Sequence, residues 1–214
     1  MRAVAFDFDG TLTTTDTTKF LMAALLRSRP QRLASFAWVV LRRVLRLMEP
    51  QEFKSAGLRF LLQRRQLHGV SLAMPHYAAS VRRKLRLGMV RKLEEHVASG
   101  DLVILATASP AFAVSQVFAG QSIEIIGAEF EVVQGRYTGV CLSNCYGPEK
   151  ALRVTTFLES RGFDSLEYAY GDHHSDFAML DLARHGVLVY PDDRTKHLLA
   201  NRRYTVIESP LVSA

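Results

Sequence analysis

From residue 100 onward, short apolar strand-like runs alternate with helix-like segments, and one more such run, Ala3-Val-Ala-Phe6, stands alone at the start. Alternation of this kind folds as a parallel sheet with helices on both faces, because each parallel connection has to cross back over the sheet. The strand-like runs are 102–107, 123–126, 166–170, 187–190 and 204–207, with helices expected over 110–119, 148–161, 175–184 and 194–200. The pair 129–133 and 136–140 reads as a hairpin turning at Gln134-Gly135. The expected fold class is α/β, a doubly wound (Rossmann-like) parallel sheet.

Residues 16–99 carry no strand signal. Helices are expected over 17–48 with a break at Pro30, over 51–67, and over 71–98 with splits near Pro75 and Gly88. The expected organisation is therefore a core from 1–12 plus 100–214 and an all-helical cap, 13–99, inserted after the first strand. Cys141 and Cys145 are too few for a disulfide framework and have no further metal ligands nearby, so they read as free structural thiols. The apolar start meets Asp7 and Asp9 before a signal-peptide core could form, and a cytoplasmic protein is expected. In the basic region the longest uncharged stretch is Leu33–Leu41, well short of the roughly 20 apolar residues of a membrane span.

Charge is divided unevenly. The whole chain has a formal net charge of +6, yet residues 17–93 hold 17 basic residues against Glu49 and Glu52, a net +15. The remainder is correspondingly acidic, so the two parts face different surroundings and the basic one suits an anionic partner.

In open parallel sheets, ligands sit beyond the carboxyl ends of the strands. The strand ends here carry Asp7 and Asp9, Thr107, and Asp172 with Asp176, while Lys150 opens a later helix. Carboxylates gathered at one edge repel unless a cation holds them, and an all-oxygen set suits Mg²⁺. A lone Asp-x-Asp at a strand end is ordinarily a turn or a cap; four such groups in order are a different matter.

The run Phe6-Asp-Phe-Asp-Gly-Thr-Leu-Thr13 resembles the first motif of the haloacid dehalogenase (HAD) phosphohydrolases. Leu102-Val-Ile-Leu-Ala-Thr107 resembles their second motif, Lys150 their third, and Gly171-Asp-His-His-Ser-Asp176 their fourth, and Val189-Tyr-Pro-Asp-Asp193 is similar to a segment of the phosphoserine phosphatase subfamily (IB). The resemblance implies an Mg²⁺-dependent phosphomonoester hydrolase working through an aspartyl-phosphate. It implies Asp7 as nucleophile, Asp9 as general acid and then base, and backbone N–H groups near Gly10 and Thr11 approaching the phosphoryl oxygens. Thr107 and the Ala108 N–H would hold a phosphoryl oxygen, and Lys150 would supply positive charge. Asp7, the Asp9 carbonyl and Asp172 would ligate the metal, with Asp176 as a further ligand or as the partner of Lys150.

Two departures from the family pattern bear on substrate. His173 and His174 follow the first Asp of the fourth motif, where Ser or Gly is common; they read as exposed loop histidines, with groups supporting the site or facing the substrate as the alternative. Asp16 stands nine residues after Asp7, where phosphoserine phosphatases commonly have Glu, and Arg59 is a candidate for a substrate carboxylate.

On a helical wheel of 29–48, Arg32, Ser35, Arg42, Arg43 and Arg46 share one arc and Leu33, Phe36, Ala37, Val40, Leu41, Val44, Leu47 and Met48 fill much of the rest, with Trp38 toward the far side. Such a helix suits either the plane of an anionic membrane or the inside of a helical cap, and the cluster Arg82-Arg-Lys-Leu-Arg86 adds to the first reading. No aromatics interleave with these charges, so nucleic acid is not expected. With its helical cap, the chain resembles the phosphatidylglycerophosphatase C branch, which implies an anionic lipid phosphate as substrate and peripheral contact with the inner face of the membrane. A small soluble phosphomonoester such as phosphoserine is the alternative, and a non-catalytic phosphoryl- or membrane-binding module the contrasting reading.

Overall fold

Ala3–Phe6 forms β1, and all four residues are buried, because neighbours pair with it on both sides and helices cover both faces. In the computed structural model, which describes residues 1–199 and 202–208, it is followed by α1 (Thr18–Arg27), a 3-10 turn at Pro30–Arg32, α2 (Leu33–Val44) and α3 (Pro50–Leu62). Then come β2 (Arg65–Gln66), α4 (Leu67–Ser71), α5 (Met74–Arg82) and α6 (Leu87–Ala98). The second half contains β3 (Leu102–Pro110), α7 (Ala111–Val114), β4 (Glu124–Val133), β5 (Arg136–Ser143), α8 (Pro148–Ser160) and β6 (Leu166–Gly171). It closes with α9 (Phe177–Leu180), β7 (Ala183–Val189), α10 (Asp193–His197) and β8 (Thr205–Ile207).

The eight strands lie in the order β2-β5-β4-β3-β1-β6-β7-β8. From β4 to β8 all neighbours are parallel, while β5 is antiparallel to both β4 and β2. Phe6, the last residue of β1, stands opposite Leu105 on β3 and Tyr170 on β6, so the residues just beyond these three come out along a single edge. The two-residue alternation of β1 sends Val4 and Phe6 into one apolar cluster with Leu21, Leu25 and Tyr77, and Ala3 and Ala5 into another with Ile104 and Leu158.

The inserted segment is not wholly helical. Arg64 takes a φ of 61°, which ends α3 and turns the chain so that Arg65 and Gln66 pair with Tyr137 and Arg136 of β5. Two residues are too short for any period to show in a sequence, and Arg65 is also buried, against expectation for its type. Its guanidinium donates to Leu25 O, Ser28 Oγ and Gly69 O at 2.9, 2.7 and 2.5 Å, tying the end of α1 to α4. Its pKa is pushed down to about 10 by burial, with Arg29 and Arg32 adding repulsion.

Other expectations shift in extent. The runs 123–126 and 129–133 join into one strand, β4, pairing with β3 on one side and with β5 on the other. Gln134 and Gly135, at φ 50° and 71°, make the tight turn between β4 and β5. The helix expected over 110–119 shrinks to α7, because β3 runs on through Pro110 and residues 115–118 tighten into i→i+3 turns. The helix expected over 175–184 shrinks to α9 and a 3-10 turn; Arg184 and His185 belong to β7, where their exposed polar side chains hide the strand pattern. Ala200, the last position of the helix expected over 194–200, lies outside the described residues.

α6 is the crossover into β3 and packs on the sheet. His96 bonds Asp101 Oδ2 at 2.9 Å through Nδ1 and Tyr170 Oη at 3.1 Å through Nε2, while Phe6 stacks on Tyr170 with ring centroids 4.3 Å apart. Arg2 completes the clasp by donating to both Asp101 oxygens, at 3.0 and 2.7 Å.

Candidate active site

The edge formed by the ends of β3, β1 and β6 carries the titratable groups. Asp7 leaves β1 with its N–H donating to Tyr170 O at 2.8 Å, and its side chain is buried. Lys150, in the first turn of α8, is also buried, and its Nζ donates to Asp7 Oδ1 and Asp176 Oδ1, both at 2.6 Å. Thr11 donates to the other Asp7 oxygen at 3.1 Å and reaches Asp172 Oδ1 at 3.5 Å. Oxygens of Asp7, Asp172 and Asp176 all lie within 4.8 Å of one another.

Close packing of this group depends on Gly10. It sits at φ +94°, and a Cβ there would fall 2.0 Å from Asp172 Oδ2. Arg86, just before α6, holds the same loop from outside: its Nε donates to Gly10 O at 3.0 Å and Thr13 O at 3.2 Å, and its guanidinium lies 4.1 Å from the Tyr190 ring centroid.

Asp9 points elsewhere. Its two oxygens accept from the Thr17 N–H at 2.8 Å and from Ser109 Oγ at 2.6 Å. Behind it, Thr17 Oγ1 lies 3.4 Å from Ser109 Oγ and accepts from Tyr77 Oη at 3.3 Å. Thr107 Oγ1 accepts from the Ser109 N–H at 3.0 Å, within the stretch of β3 between Ala106 and Pro110 where its register with β4 shifts.

Burial sets the electrostatics. It raises the pKa of Asp7 above the usual carboxylate range, with Lys150 opposing and Asp176 adding to the rise. It raises Asp172 as well, helped by repulsion from Asp7 and Asp176. For Lys150 burial works downward, but Asp7 and Asp176 overcome it and keep the ammonium charged. Asp9 is raised by burial and by Asp16, against the bonds from Ser109 and Thr17.

Three carboxylates crowded around one ammonium, with Asp172 making no ion pair among the described residues, leave an unbalanced negative charge. An oxygen-only donor set with that excess fits a hard divalent cation such as Mg²⁺.

A cavity of about 970 Å³ opens over these groups. Asp7, Asp9, Gly10, Thr107, Ala108, Lys150, Asp172 and Asp176 all line it, while Thr11 is buried just behind Asp7. Asp16 and Arg59 line it too; Asp16 is ion-paired with Lys54, whereas Arg59 reaches the cavity from the exposed side of α3. The two histidines are not exposed loop residues as expected. His173 is half-buried, lines the cavity and accepts the Ser175 N–H, because the 3-10 turn at His174–Asp176 folds the loop back on itself. His174 is half-buried against it, with ring centroids 3.8 Å apart and a buried Nδ1.

Sequence reading missed Ser109, Thr17, Tyr77, Lys54 and Arg86. Ser109 was within reach, standing two residues past Thr107 on the same strand. Tyr77 of α5 and Arg86, the residue before α6, lie far along the chain, and no local pattern marks either as a neighbour of this site.

A family model for haloacid dehalogenase-like hydrolases matches residues 4–181. The chain belongs to that family. A structure of a protein of unknown function from Bordetella pertussis Tohama I is 23% identical, covers 96% of this chain and 97% of its own, and superposes with a TM-score of 0.76. A HAD family hydrolase from Salmonella enterica serovar Typhi is 13% identical over 96% of this chain and 67% of its own, with a TM-score of 0.65. A phosphoserine phosphatase held as a phospho-aspartyl intermediate analogue is 17% identical over 98% and 94%, with a TM-score of 0.60. At these identities they share the fold with this HAD-like hydrolase. No curated protein matches the chain.

Proposed function

We propose that this HAD-like hydrolase is a phosphomonoesterase working through an aspartyl-phosphate on Asp7. The observation that carries this reading is the Asp7 carboxylate between Lys150 and Thr11, at the floor of an open cavity with Asp9 alongside. Asp7 attacks phosphorus, forming the acyl-phosphate bond as the ester P–O bond breaks, and Asp9 gives its proton to the leaving alkoxide. The raised pKa of Asp9 suits the acid role. Asp9 then takes a proton from water, which attacks phosphorus and expels the Asp7 carboxylate. Lys150, Thr107 and the N–H groups around Gly10, Thr11 and Ala108 balance charge on the equatorial oxygens. Asp7, the Asp9 carbonyl, Asp172 and Asp176 would hold Mg²⁺, which when bound neutralises phosphoryl charge.

Residues 1–12 and 100–214 are read as the catalytic core and 13–99 as its cap, with α6 lying on the core. The substrate we favour is an anionic lipid phosphate, met at the inner face of a membrane. Two features support this over phosphoserine: Lys54 neutralises Asp16, which would otherwise face a substrate ammonium, and Leu58, Phe130 and Val140 make one side of the cavity apolar.

Phosphate release with Mg²⁺ from phosphatidylglycerophosphate in vesicles, phosphoserine and p-nitrophenyl phosphate tests both parts. Asp7→Asn is expected to lose at least about a thousandfold in turnover while staying folded, and chelation is expected to silence the enzyme. Unchanged hydrolysis in Asp7→Asn overturns the mechanism; preference for phosphoserine overturns the substrate; no release from any of the three supports a binding module.

A further inference from the structure

The amphipathic helix α2 is mounted the wrong way round for a helix of a soluble cap. Its buried residue is Phe36, 6% exposed, which packs against Phe53 and Phe60 of α3 with ring centroids 6.4 and 6.1 Å away. The half-buried Val39 and Arg43 share that side at helical spacing, as does Arg32 just before the helix, whose Nη1 donates to Phe60 O at 2.5 Å. So the stripe turned toward the body of the protein is Arg32, Phe36, Val39 and Arg43, the seam between the two arcs, and most of the apolar arc is left outside it.

The apolar arc faces out. At 3.6 residues per turn, Leu33, Ala34, Ala37, Trp38, Leu41, Val44 and Leu45 form an arc of roughly 140° turned away from α3. Trp38 is 66% exposed and Val44 69%, and Leu33, Leu41 and Leu45 are exposed as well. Leu47 continues the apolar surface past the helix end. A contiguous apolar face of this kind on a soluble chain marks a binding surface, and among the described residues nothing covers it. Arg42 and Arg46 are exposed beside it.

We infer that the outward face of α2 docks on an anionic lipid bilayer, with Leu41, Trp38 and Val44 entering the acyl boundary and the arginines beside them meeting headgroups. Charge selects this occupant. The face belongs to the segment carrying net +15, so a second copy of the chain would bring a like-charged surface against it. An anionic membrane offers the opposite charge and an apolar interior at the depth where a flat amphipathic helix lies. Tryptophan is among the residues that favour that interface. For its purpose this inference rests on the lipid-phosphate reading; its evidence is independent of the catalytic residues.

Trp38 is the only tryptophan in the chain, so its fluorescence reports on this face alone. The full-length protein is titrated with phosphatidylglycerol–phosphatidylcholine vesicles and with phosphatidylcholine vesicles, following emission and co-sedimentation. The expected result is a blue shift and partition with anionic vesicles, weakened by salt. Leu41→Ser with Val44→Ser should lower the partition coefficient by at least about tenfold, while circular dichroism and p-nitrophenyl phosphate turnover stay unchanged. Arg42→Ser with Arg46→Ser should weaken binding less and reduce its salt dependence.

No shift and no sedimentation with anionic vesicles overturns the inference, and so does equal partition onto both vesicle types. A blue shift that grows with protein concentration without lipid, accompanied by a dimer mass, assigns the face to a second copy instead. Vesicle binding without hydrolysis of the lipid phosphate leaves the docking face standing and overturns the substrate reading.

Discussion

Ser109 donates a 2.6 Å hydrogen bond to Asp9 from the last residues of β3, while the Thr17 N–H holds the other oxygen of the same carboxylate. The candidate acid is thus fixed by the core on one side and by the start of α1 on the other. In Ser109→Ala, Asp9 keeps one anchor and loses its aim. Turnover of alkyl phosphates, whose leaving group needs the proton, is expected to fall about tenfold. p-Nitrophenyl phosphate, whose leaving group departs without one, should lose much less. Comparing kcat across leaving groups of graded acidity checks this; equal losses on all of them would mean Ser109 serves only the fold.

Lys150→Met removes the one ammonium that bridges Asp7 and Asp176. Two buried carboxylates are then left facing each other, and breaking a buried pair of this sort costs about 3–5 kcal/mol. Urea unfolding in the presence of chelator should show that loss, and steady-state assays with Mg²⁺ should show a collapse of kcat.

Gly10→Ala puts a methyl where Asp172 Oδ2 now sits and asks an L-residue to hold φ +94°. The backbone cost is on the order of 1–3 kcal/mol. Asp172 has to move away from Asp7, so the Mg²⁺ concentration for half-maximal turnover should rise by about tenfold or more. Metal titrations of activity read this directly.

The clasp of Arg2, His96 and Asp101 predicts an acid limb of stability. Burial pushes the Asp101 carboxyl up, but the bonds from Arg2 and His96 outweigh it and bring it down to about 2. A carboxylate depressed in the folded state contributes fully above its unfolded pKa, near 3.8, and loses that contribution as pH falls toward 2. Arg2 is half exposed, so solvent screens its share of the effect. Denaturation midpoints between pH 5 and pH 2 should fall more steeply for the wild type than for Asp101→Asn.

What could be read from the sequence, and what could not, divides by distance along the chain. Strands β1, β3 and β6 were legible because buried parallel strands are short continuous apolar runs, and each ended in the residue types that now meet at one edge. Asp7, Thr107, Asp172 and Asp176 were legible for the same reason, since this topology puts strand ends together, whereas Lys150, in the first turn of α8, was read from the family motif. β2 was not, because two residues carry no period and its pairing is decided by the Arg64 turn and by β5, some seventy residues on. The mounting of α2 was not legible either. A wheel gives the separation of two arcs but not which side of the helix meets α3, and there the packing of Phe36 against Phe53 and Phe60 decides the matter. Tyr77 reaches Thr17 only because α5 crosses α1, a contact set by packing alone.

The stitch between β2 and β5 has a further effect. Arg64 N–H donates to Tyr137 O at 2.8 Å and Leu67 N–H to Gly135 O at 3.0 Å, one bond on each flank of the two-residue strand. The hairpin therefore grips the stretch between residues 13 and 86 at its middle, while the pairing of Thr13 with Leu85 and the bond from Arg86 N–H to Leu12 O grip it at its ends. A lid hinged only at its ends could swing freely. One sewn at its midpoint to an edge of the sheet has to carry that edge along or part those bonds, so widening the cavity mouth becomes a twist shared with β4 and β5, and the amide protons of Arg64 and Leu67 would record each excursion.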